Sequence, residues 1–128
     1  MPERGVLGIG VDLCAVARIE RAMERPRFLL RVYTQEERDY LQTRGKGAAQ
    51  SAAAMFAAKE AVAKALGTGF SDGIAPGQIG VTHAPSGAPG VVLSGAALAR
   101  FEALGGVRVR ISLTHEAQVA AAFVVIEG

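Results

Sequence analysis

Apolar and polar positions in the first part of the chain predict one strand followed by a short helix. Residues 6–13 are apolar apart from Asp12 and predict a buried strand. Its two glycines mark places where another segment lies close to the backbone. Apolar side chains then recur at helical spacing over residues 16–23, and Pro26 ends that helix.

Two more helices are predicted before the middle of the chain. Thr34 and Glu37 form a capping-box signature, which predicts a helix over residues 35–43. The Ala-rich stretch over residues 51–66 predicts a long helix, and Gly67 follows it in the usual C-terminal role. The first half of the chain is therefore mainly helical.

The second half of the chain has the period-two pattern of strands. Residues 78–83 and 90–93 predict two strands joined by a turn, and a helix capped by Ser94 follows them. Apolar and polar residues alternate over 107–114, and a turn connects this strand to another at 119–126, which predicts an antiparallel hairpin. Because helices come early and strands late, the pattern favours an α+β fold with helices packed on an antiparallel sheet.

Length and charge narrow the class of protein. A chain of 128 residues predicts a single domain over residues 1–128, and a net charge of +2 is too mild for a general nucleic-acid binder. No apolar run reaches the ~18 residues that span a bilayer, and the N-terminus lacks a signal-peptide pattern. The lone Cys14 cannot form an internal disulfide. We therefore expect a cytoplasmic protein that binds neither nucleic acid nor a membrane.

Small residues dominate the composition. The chain has 24 alanines and 16 glycines but no tryptophan. A core built from so much alanine buries little area, and small domains already bury a modest fraction of their surface. Oligomerisation would add burial, which leaves open an active site between subunits.

Asp12 stands apart among the twelve acidic residues. It lies in the apolar strand, where a carboxylate is costly to bury unless a metal ion, a basic partner or backbone donors compensate it. Nine other acids have polar neighbours or lie at segment ends, and we expect them to be solvated charges. These nine are Glu3, Glu20, Glu24, Glu36, Glu37, Asp39, Asp72, Glu102 and Glu127.

Glu60 shares the Ala-rich helix with Lys59 and Lys64, two of the three lysines in the chain. Glu60 and Lys64 are four residues apart and can form a surface salt bridge without any function. The alternative is chemistry on a phosphate, since magnesium takes one or two carboxylates with waters and phosphate oxygens, and lysine adds a point charge. The following turn, Gly67-Thr68-Gly69, either offers backbone N–H groups to a phosphate or simply ends the helix.

Histidine and arginine supply further candidates. His115 ends the alternating strand and is either structural or catalytic. His83 has no other candidate residue near it in the sequence, so we expect it to be structural. Five arginines fall within fourteen residues with only two acids among them, a local charge of +3. Such a cluster is a solvated face or attracts an acidic partner helix or ligand phosphates. The five are Arg18, Arg21, Arg25, Arg27 and Arg31.

Three motifs occur in order along the chain. The first is Gly8-Ile9-Gly10-Val11-Asp12-Leu13, with Arg18-Ile19-Glu20 beyond it. The second and most specific runs from Phe56 to Ala65, with Lys59, Glu60 and Lys64 inside it and Gly67-Thr68-Gly69 after it. The third is Ser112-Leu113-Thr114-His115, which leads into residues 120–127. In order, spacing and total length the chain resembles the holo-[acyl-carrier-protein] synthases, the small 4′-phosphopantetheinyl transferases, over essentially its whole length.

The resemblance implies a reaction and an assembly. The 4′-phosphopantetheine arm of coenzyme A is transferred to a serine of an apo acyl carrier protein, a step that serves fatty acid biosynthesis, and adenosine 3′,5′-bisphosphate is released. Mg²⁺ is held by Asp12 and Glu60. The assembly is a homotrimer with coenzyme A bound between neighbouring subunits, and this chain is one half-module of the larger fused relatives.

The resemblance also implies roles for single residues. Glu60 takes the proton of the attacking serine, directly or through a metal-bound water, and Lys64 stabilises or protonates the leaving group. The implied catalytic residues are Glu60, Lys64 and His115. The implied coenzyme contacts are Lys59, Gly67, Thr68, Gly69 and His115. The implied docking residues for the acidic carrier protein are Arg18, Arg21 and Arg25.

Two positions depart from the family pattern. Many members have an arginine directly before the second motif, where this chain has Met55, and a Gly-Lys-Pro turn where this chain has Gly87-Ala88-Pro89. Both lost positive charges are candidate phosphate or nucleotide contacts. The alternative interpretation is an oligomeric α+β module that binds coenzyme A or a nucleotide without turnover, but it gives no reason for an Asp and a Glu beside Lys64.

Overall fold

A computed structural model describes residues 5–128 of the chain. Five strands and five α-helices follow one another in the order β1 (Val6–Ala15), α1 (Val16–Ala22), α2 (Pro26–Val32), α3 (Gln35–Gln42), α4 (Ala48–Ala65), β2 (Ile79–His83), β3 (Pro89–Leu93), α5 (Gly95–Ala103), β4 (Arg108–His115) and β5 (Val119–Glu127). One three-stranded antiparallel sheet has the order β1-β5-β4, and β2 and β3 form a separate hairpin. The predicted α+β class is confirmed, and so is the antiparallel pairing of the last two strands.

The Ala-rich helix α4 lies directly on one face of the three-stranded sheet. A Cβ atom added to Gly8 would lie 2.0 Å from the carbonyl oxygen of Ala65, and one added to Gly10 would lie 1.9 Å from that of Ala61. Only a glycine strand face and an alanine helix face can approach this closely. The prediction that the first strand's glycines mark a close approach is confirmed, and the approach brings Asp12 to α4.

The other face of the same sheet is apolar and exposed, so β1 is not buried on both sides as predicted. Ile9, Val11 and Leu13 are 62 %, 58 % and 67 % exposed. Phe123, which lies opposite Val11 on β5, is 49 % exposed. The alternation of side chains along a strand places these residues on the face that α4 does not cover.

Pro26 begins a helix instead of only ending one. Helix α1 stops at Ala22, and Pro26 then occupies the first turn of α2, where its missing N–H costs no hydrogen bond. The capping box at the start of α3 is confirmed: Thr34 accepts a hydrogen bond from the Glu37 backbone, and Glu37 accepts one from the Thr34 backbone. Among residues 5–128, none of the helices has the length and apolar character that a bilayer crossing requires.

Glu37 is buried, although the sequence predicted a solvated charge. Its side chain is 1 % exposed and forms a salt bridge of 2.8 Å with the fully buried Lys59 of α4. Its second carboxylate oxygen accepts a hydrogen bond of 2.8 Å from the backbone of Val81 in β2. The prediction was wrong because it used sequence neighbours, whereas the partners that compensate this carboxylate come from α4 and β2. This ion pair fixes α3 and the β2–β3 hairpin to α4.

Candidate active site

Asp12 and Lys64 meet where the strand β1 passes α4. The Lys64 ammonium donates a hydrogen bond of 2.9 Å to Asp12 Oδ1 and another of 3.2 Å to the carbonyl oxygen of Val11. The side chains of Lys64 and Asp12 are 51 % and 20 % exposed, so the pair lies at the surface. The salt bridge between Glu60 and Lys64, one of the two alternatives that the sequence left open, is absent from the described residues, and Lys64 pairs across the fold with Asp12.

Glu60 lies one turn before Lys64 on α4 and faces the same strand. Burial raises the pKa of Glu60 above its ordinary value, and the negative charge of Asp12 raises it further. The positive charges of Lys64 and Arg18 act in the opposite direction. A carboxylate with a raised pKa beside a second carboxylate is suited to accept a proton near neutral pH.

The donor set of these two acids fits a magnesium ion. The described residues contain no group of three or more His, Cys, Asp and Glu side chains that could enclose a metal. Asp12 and Glu60 supply hard carboxylate oxygens close enough together for their charges to interact. Magnesium is commonly bound by one or two carboxylates and keeps its other positions for water and substrate phosphates, so two acids are sufficient.

The basic helix α1 lies beside this group. The Arg18 guanidinium is 5.6 Å from the ring centroid of Phe56, a residue one turn before Glu60 on α4. Arg18, Arg21 and Arg25 are exposed; the first two lie on α1, and Arg25 directly precedes α2. Arg18 therefore lies on the same side of α4 as Glu60, and its charge lowers the pKa of that carboxyl.

Lys59 does not fit the coenzyme contact that the sequence predicted for it. It is fully buried, and its ammonium donates hydrogen bonds to Glu37 Oε1 at 2.8 Å, to the carbonyl oxygen of Pro76 at 3.0 Å and to that of Ile79 at 2.7 Å. An ammonium group has three donors, and these three bonds use all of them. Lys59 holds α4 to its neighbours instead.

The turn after α4 also differs from its predicted role as a set of free phosphate donors. The backbone N–H of Gly67 donates to the carbonyl oxygen of Lys64, and those of Thr68 and Gly69 donate to that of Ala63. Gly67 and Gly69 have φ angles of +84° and +61°, which explains the glycines. The turn ends the helix, and its three backbone N–H groups donate to carbonyl oxygens of α4 instead of pointing toward a phosphate.

His115 lies apart from Asp12, Glu60 and Lys64. Asp12 is on the edge strand β1 and His115 ends the opposite edge strand β4, with β5 between them. His115 lines a separate pocket that also contains Ser51 and Ala54 from the first half of α4. No contact in the described part of one chain joins His115 to the carboxylate pair.

Sequence reasoning missed the other residues of this pocket. Tyr40 of α3 and His83 at the end of β2 stack there with ring centroids 4.1 Å apart, and Arg44 lies 5.1 Å from the Tyr40 ring centroid. Tyr40 and Arg44 are four residues apart at the end of a predicted helix, which is the one local signal for their contact. Met55, in contrast, is fully buried in the core, so its side chain does not face either site.

An α+β fold with a surface Asp–Lys–Glu group suited to magnesium and phosphate matches a known class of protein. A sequence model of the 4′-phosphopantetheinyl transferase superfamily matches residues 8–123, so the chain belongs to that superfamily. The match includes Asp12, Glu60, Lys64 and His115.

Individual relatives narrow the class to the holo-[acyl-carrier-protein] synthases. The holo-[acyl-carrier-protein] synthase of Treponema denticola is 43 % identical, and the alignment covers 96 % of this chain and 99 % of that protein. The crystal structure of the Neisseria meningitidis enzyme superposes with a TM-score of 0.86 at 36 % identity, covering 97 % and 100 % of the two chains. That of the Helicobacter pylori enzyme in complex with coenzyme A has a TM-score of 0.80 at 30 % identity, covering 92 % and 98 %.

Proposed function

We propose that this chain transfers the 4′-phosphopantetheine moiety of coenzyme A to a serine of an apo acyl carrier protein, and that adenosine 3′,5′-bisphosphate leaves. The observation that carries the proposal is the Asp12–Lys64 pair beside Glu60, which lies at the surface and inside the superfamily match. Relatives of full length with the holo-[acyl-carrier-protein] synthase name support the same reaction. The reaction serves fatty acid biosynthesis.

The chemistry assigns one role to each residue of the group. Glu60 accepts the proton of the serine hydroxyl as its oxygen attacks the phosphorus that carries the pantetheine arm. The bond from that phosphorus to the bridging pyrophosphate oxygen breaks, and negative charge develops on the departing phosphate of adenosine 3′,5′-bisphosphate. The Lys64 ammonium, which donates a hydrogen bond to the Asp12 carboxylate, stabilises or protonates the departing phosphate.

Asp12 and Glu60 would hold the magnesium ion in this proposal. When bound, the ion would neutralise charge on the pyrophosphate of coenzyme A. Each carboxylate contributes hard oxygen ligands, and Asp12 orients Lys64 as well. Burial raises the pKa of Glu60 and the negative charge of Asp12 raises it further, and a bound divalent cation would offset the repulsion between the two carboxylates.

The exposed arginines of α1 and of the residue before α2 form the proposed dock for the carrier protein. Arg18, Arg21 and Arg25 present three positive charges with few acids near them, which suits a partner with an acidic surface. Since Arg18 lies near Glu60, a carrier bound here would bring its serine toward the proposed base.

The apolar sheet face supports self-association, and the number of three chains is what the resemblance to the family implies. Ile9, Val11, Leu13 and Phe123 form an exposed apolar surface on one face of a sheet, the kind of patch that commonly marks an interaction site. In a trimer with the active site between subunits, His115 of one chain would approach the Asp12 group of the next. That arrangement would explain why His115 lies away from Asp12 within one chain.

Coenzyme A is the proposed co-substrate between subunits. His115 stays a candidate for catalysis and for contact with coenzyme A. The turn over residues 67–69 stays a candidate coenzyme contact by close approach, since its backbone N–H groups already donate hydrogen bonds within the chain. The cytoplasm is the proposed compartment, because Cys14 is a free thiol buried in the core and thiols persist in a reducing environment.

Mass spectrometry of the carrier protein tests the proposed reaction. Apo acyl carrier protein incubated with the chain, coenzyme A and magnesium should gain one phosphopantetheine group, and chelation of magnesium should prevent the gain. Binding of coenzyme A without any mass gain would reject the transferase and favour the alternative, a non-catalytic module that binds coenzyme A or a nucleotide.

A further inference from the structure

Three aromatic side chains form a row that runs from the core to the surface beside α1. The hydroxyl of the buried Tyr33 donates a hydrogen bond of 2.7 Å to the carbonyl oxygen of Ala52 in α4. Phe28 of α2 packs edge-on against Tyr33, with ring centroids 5.8 Å apart and ring planes at 71°. The half-buried Phe56 of α4 packs against Phe28, with ring centroids 6.2 Å apart. Both distances are those of favourable aromatic pairs, so the core holds the Phe56 ring in place.

The outer end of this row carries the Arg18 guanidinium. Its Cζ lies 5.6 Å from the Phe56 ring centroid, which is a cation–π distance. The arginine side chains that donate hydrogen bonds among residues 5–128 are those of Arg38, Arg100 and Arg110. Arg18 also takes part in no salt bridge within these residues. The Phe56 ring is therefore the contact that directs the guanidinium.

Arg21 and Arg25, the other arginines of the proposed dock, have no such ring. Both are exposed, and neither forms a cation–π contact, a salt bridge or a side-chain hydrogen bond in the part of the chain that the structure describes. A free arginine side chain loses much rotamer freedom when a partner orders it, and a side chain that is already held loses less. The dock thus contains one preoriented arginine and two that a partner must order.

The preoriented arginine is also the one that acts on the carboxylate group. Phe56 and Glu60 are one turn apart on α4, and the Arg18 charge lowers the pKa of Glu60. Arg21 and Arg25 are not among the charges that shift this pKa. A carboxylate of the carrier protein that pairs with Arg18 is therefore bound beside the proposed base.

We propose that Phe56 is a positioning residue, which holds the Arg18 guanidinium on its ring face and so makes Arg18 the preoriented contact for a carboxylate of the carrier protein. This inference rests on the proposed function, since it assigns different roles to the arginines of the proposed dock. Phe56 acts through Arg18 and contacts neither substrate in this assignment.

Carrier binding and steady-state kinetics test the role of the ring. Phe56→Leu keeps an apolar side chain but removes the ring face, so the Kd and the KM for apo carrier protein should rise about three- to fivefold. The KM for coenzyme A and kcat should change by less than about twofold, a split that general damage to α4 would not give. Phe56→Tyr keeps the ring face and should retain the wild-type Kd. Phe101→Leu is the matched control, because it removes a half-buried phenylalanine ring from α5, and it should also leave the Kd unchanged.

Two double-variant comparisons separate a role through Arg18 from a merely structural one. Added to Arg18→Gln, Phe56→Leu should raise the Kd for apo carrier protein no further, because the guanidinium that the ring holds is already gone. Added to Arg21→Gln, it should still raise the Kd by the full three- to fivefold, because Arg21 does not lie on the ring. Calorimetry with apo carrier protein and without coenzyme A gives each Kd, so these comparisons need no turnover.

The inference is overturned if Phe56→Leu raises the Kd by the same factor in both backgrounds, if it leaves the Kd unchanged, or if Phe56→Tyr weakens binding as much as Phe56→Leu. A Kd that Arg18→Gln does not change would reject the dock and the inference with it, while transfer of phosphopantetheine could still be observed. A wild-type chain that shows the expected pattern of Kd values but transfers no phosphopantetheine would reject the proposed reaction and retain the role of Phe56.

Discussion

Asp12 contacts Lys64 and influences Glu60, and this double contact explains why an acid lies in a strand of glycine and apolar residues. Its carboxylate receives a hydrogen bond from Lys64, and its charge raises the pKa of Glu60. The three side chains therefore form one electrostatic unit at the surface, and changing any of them changes the other two.

Loss of either carboxylate should alter the dependence on magnesium. Asp12→Asn and Glu60→Gln each remove a hard anionic ligand with little change of shape, so the magnesium concentration for half-maximal rate should rise by at least about tenfold. Glu60→Gln should also lower kcat at saturating magnesium by about 10²-fold or more, because it removes the proton acceptor. Initial rates measured against magnesium concentration check both. An active Glu60→Gln enzyme with wild-type magnesium dependence would contradict the assignment.

Lys64→Ala should change rate and pH dependence without unfolding the chain. Its charge lowers the pKa of Glu60, so the substitution should raise that pKa. A general base works only when deprotonated, so the acidic limb of the rate profile should move to higher pH, with a fall in kcat of about 10²-fold. Rates across pH 5 to 8 at saturating magnesium measure both effects. Lys64 is a surface residue, so the thermal midpoint of unfolding should remain nearly constant. An unshifted acidic limb together with a normal kcat would show that Lys64 forms only a surface salt bridge and takes no part in catalysis.

At the scale of elements, close approach between α4 and β1 creates the site, and the buried pair of Glu37 and Lys59 keeps α3 and β2 in place. Gly8 and Gly10 allow α4 to lie on the strand, which brings Glu60 and Lys64 to Asp12. The Glu37–Lys59 pair has no exposure to water and every donor of the ammonium is used. Both features are consequences of packing between elements that are far apart in the chain.

Replacing one member of the buried ion pair should lower the free energy of unfolding far more than replacing both members. Glu37→Gln keeps a side chain that can complete the capping box but leaves Lys59 without its counter-charge. Lys59→Met leaves the buried Glu37 carboxylate without its counter-charge. Each substitution should therefore lower the free energy of unfolding by about 3–5 kcal/mol. The double variant leaves no unpaired charge and should recover part of the loss. Urea unfolding at one fixed protein concentration measures this. If the loss of unfolding free energy in the double variant equals the sum of the losses in the two single variants, the two charges do not stabilise each other.

At the scale of the whole molecule, one sheet carries both a packed and an apolar exposed face. The face toward α4 forms the core, and the opposite face exposes Ile9, Val11, Leu13 and Phe123 to water in a single chain. A core rich in alanine buries modest apolar area, so covering this second face would add substantially to the hydrophobic stabilisation.

A charge on the exposed sheet face should dissociate the homotrimer that we propose. Light scattering of the wild-type chain should give about three chains per particle. Phe123→Glu should shift the mass toward one chain, because a carboxylate is costly to bury in an apolar interface. Val92→Glu is the matched control, since Val92 is an apolar strand residue of similar exposure (60 %) on the β2–β3 hairpin, and it should leave the mass unchanged. A monomeric wild-type chain with full transferase activity would rule out an active site between subunits.

The elements were predictable because their signals are local. The capping box at Thr34 and Glu37 marks the start of α3, and the alternation over residues 107–114 matches β4, with bounds that differ by one residue. Predicted helix α4 began three residues late, because the turn at residues 45–47 runs into it without a capping side chain. Pro26 was ambiguous for a similar reason: proline both ends one helix and fits the first turn of the next.

The sequence by itself determined the α+β class, most helix and strand positions and the residue types of the site, because periodicity, capping and motif spacing are properties of neighbouring residues. Only the tertiary structure decided the partners. Lys64 pairs with Asp12, 52 residues away, instead of with Glu60 on its own helix, and Lys59 pairs with Glu37, 22 residues away. It also decided that one face of β1 is exposed and that Tyr40 and His83 stack. The physical reason is that burial, ion pairing and stacking depend on which distant segments the packed core brings together, and no local pattern records that.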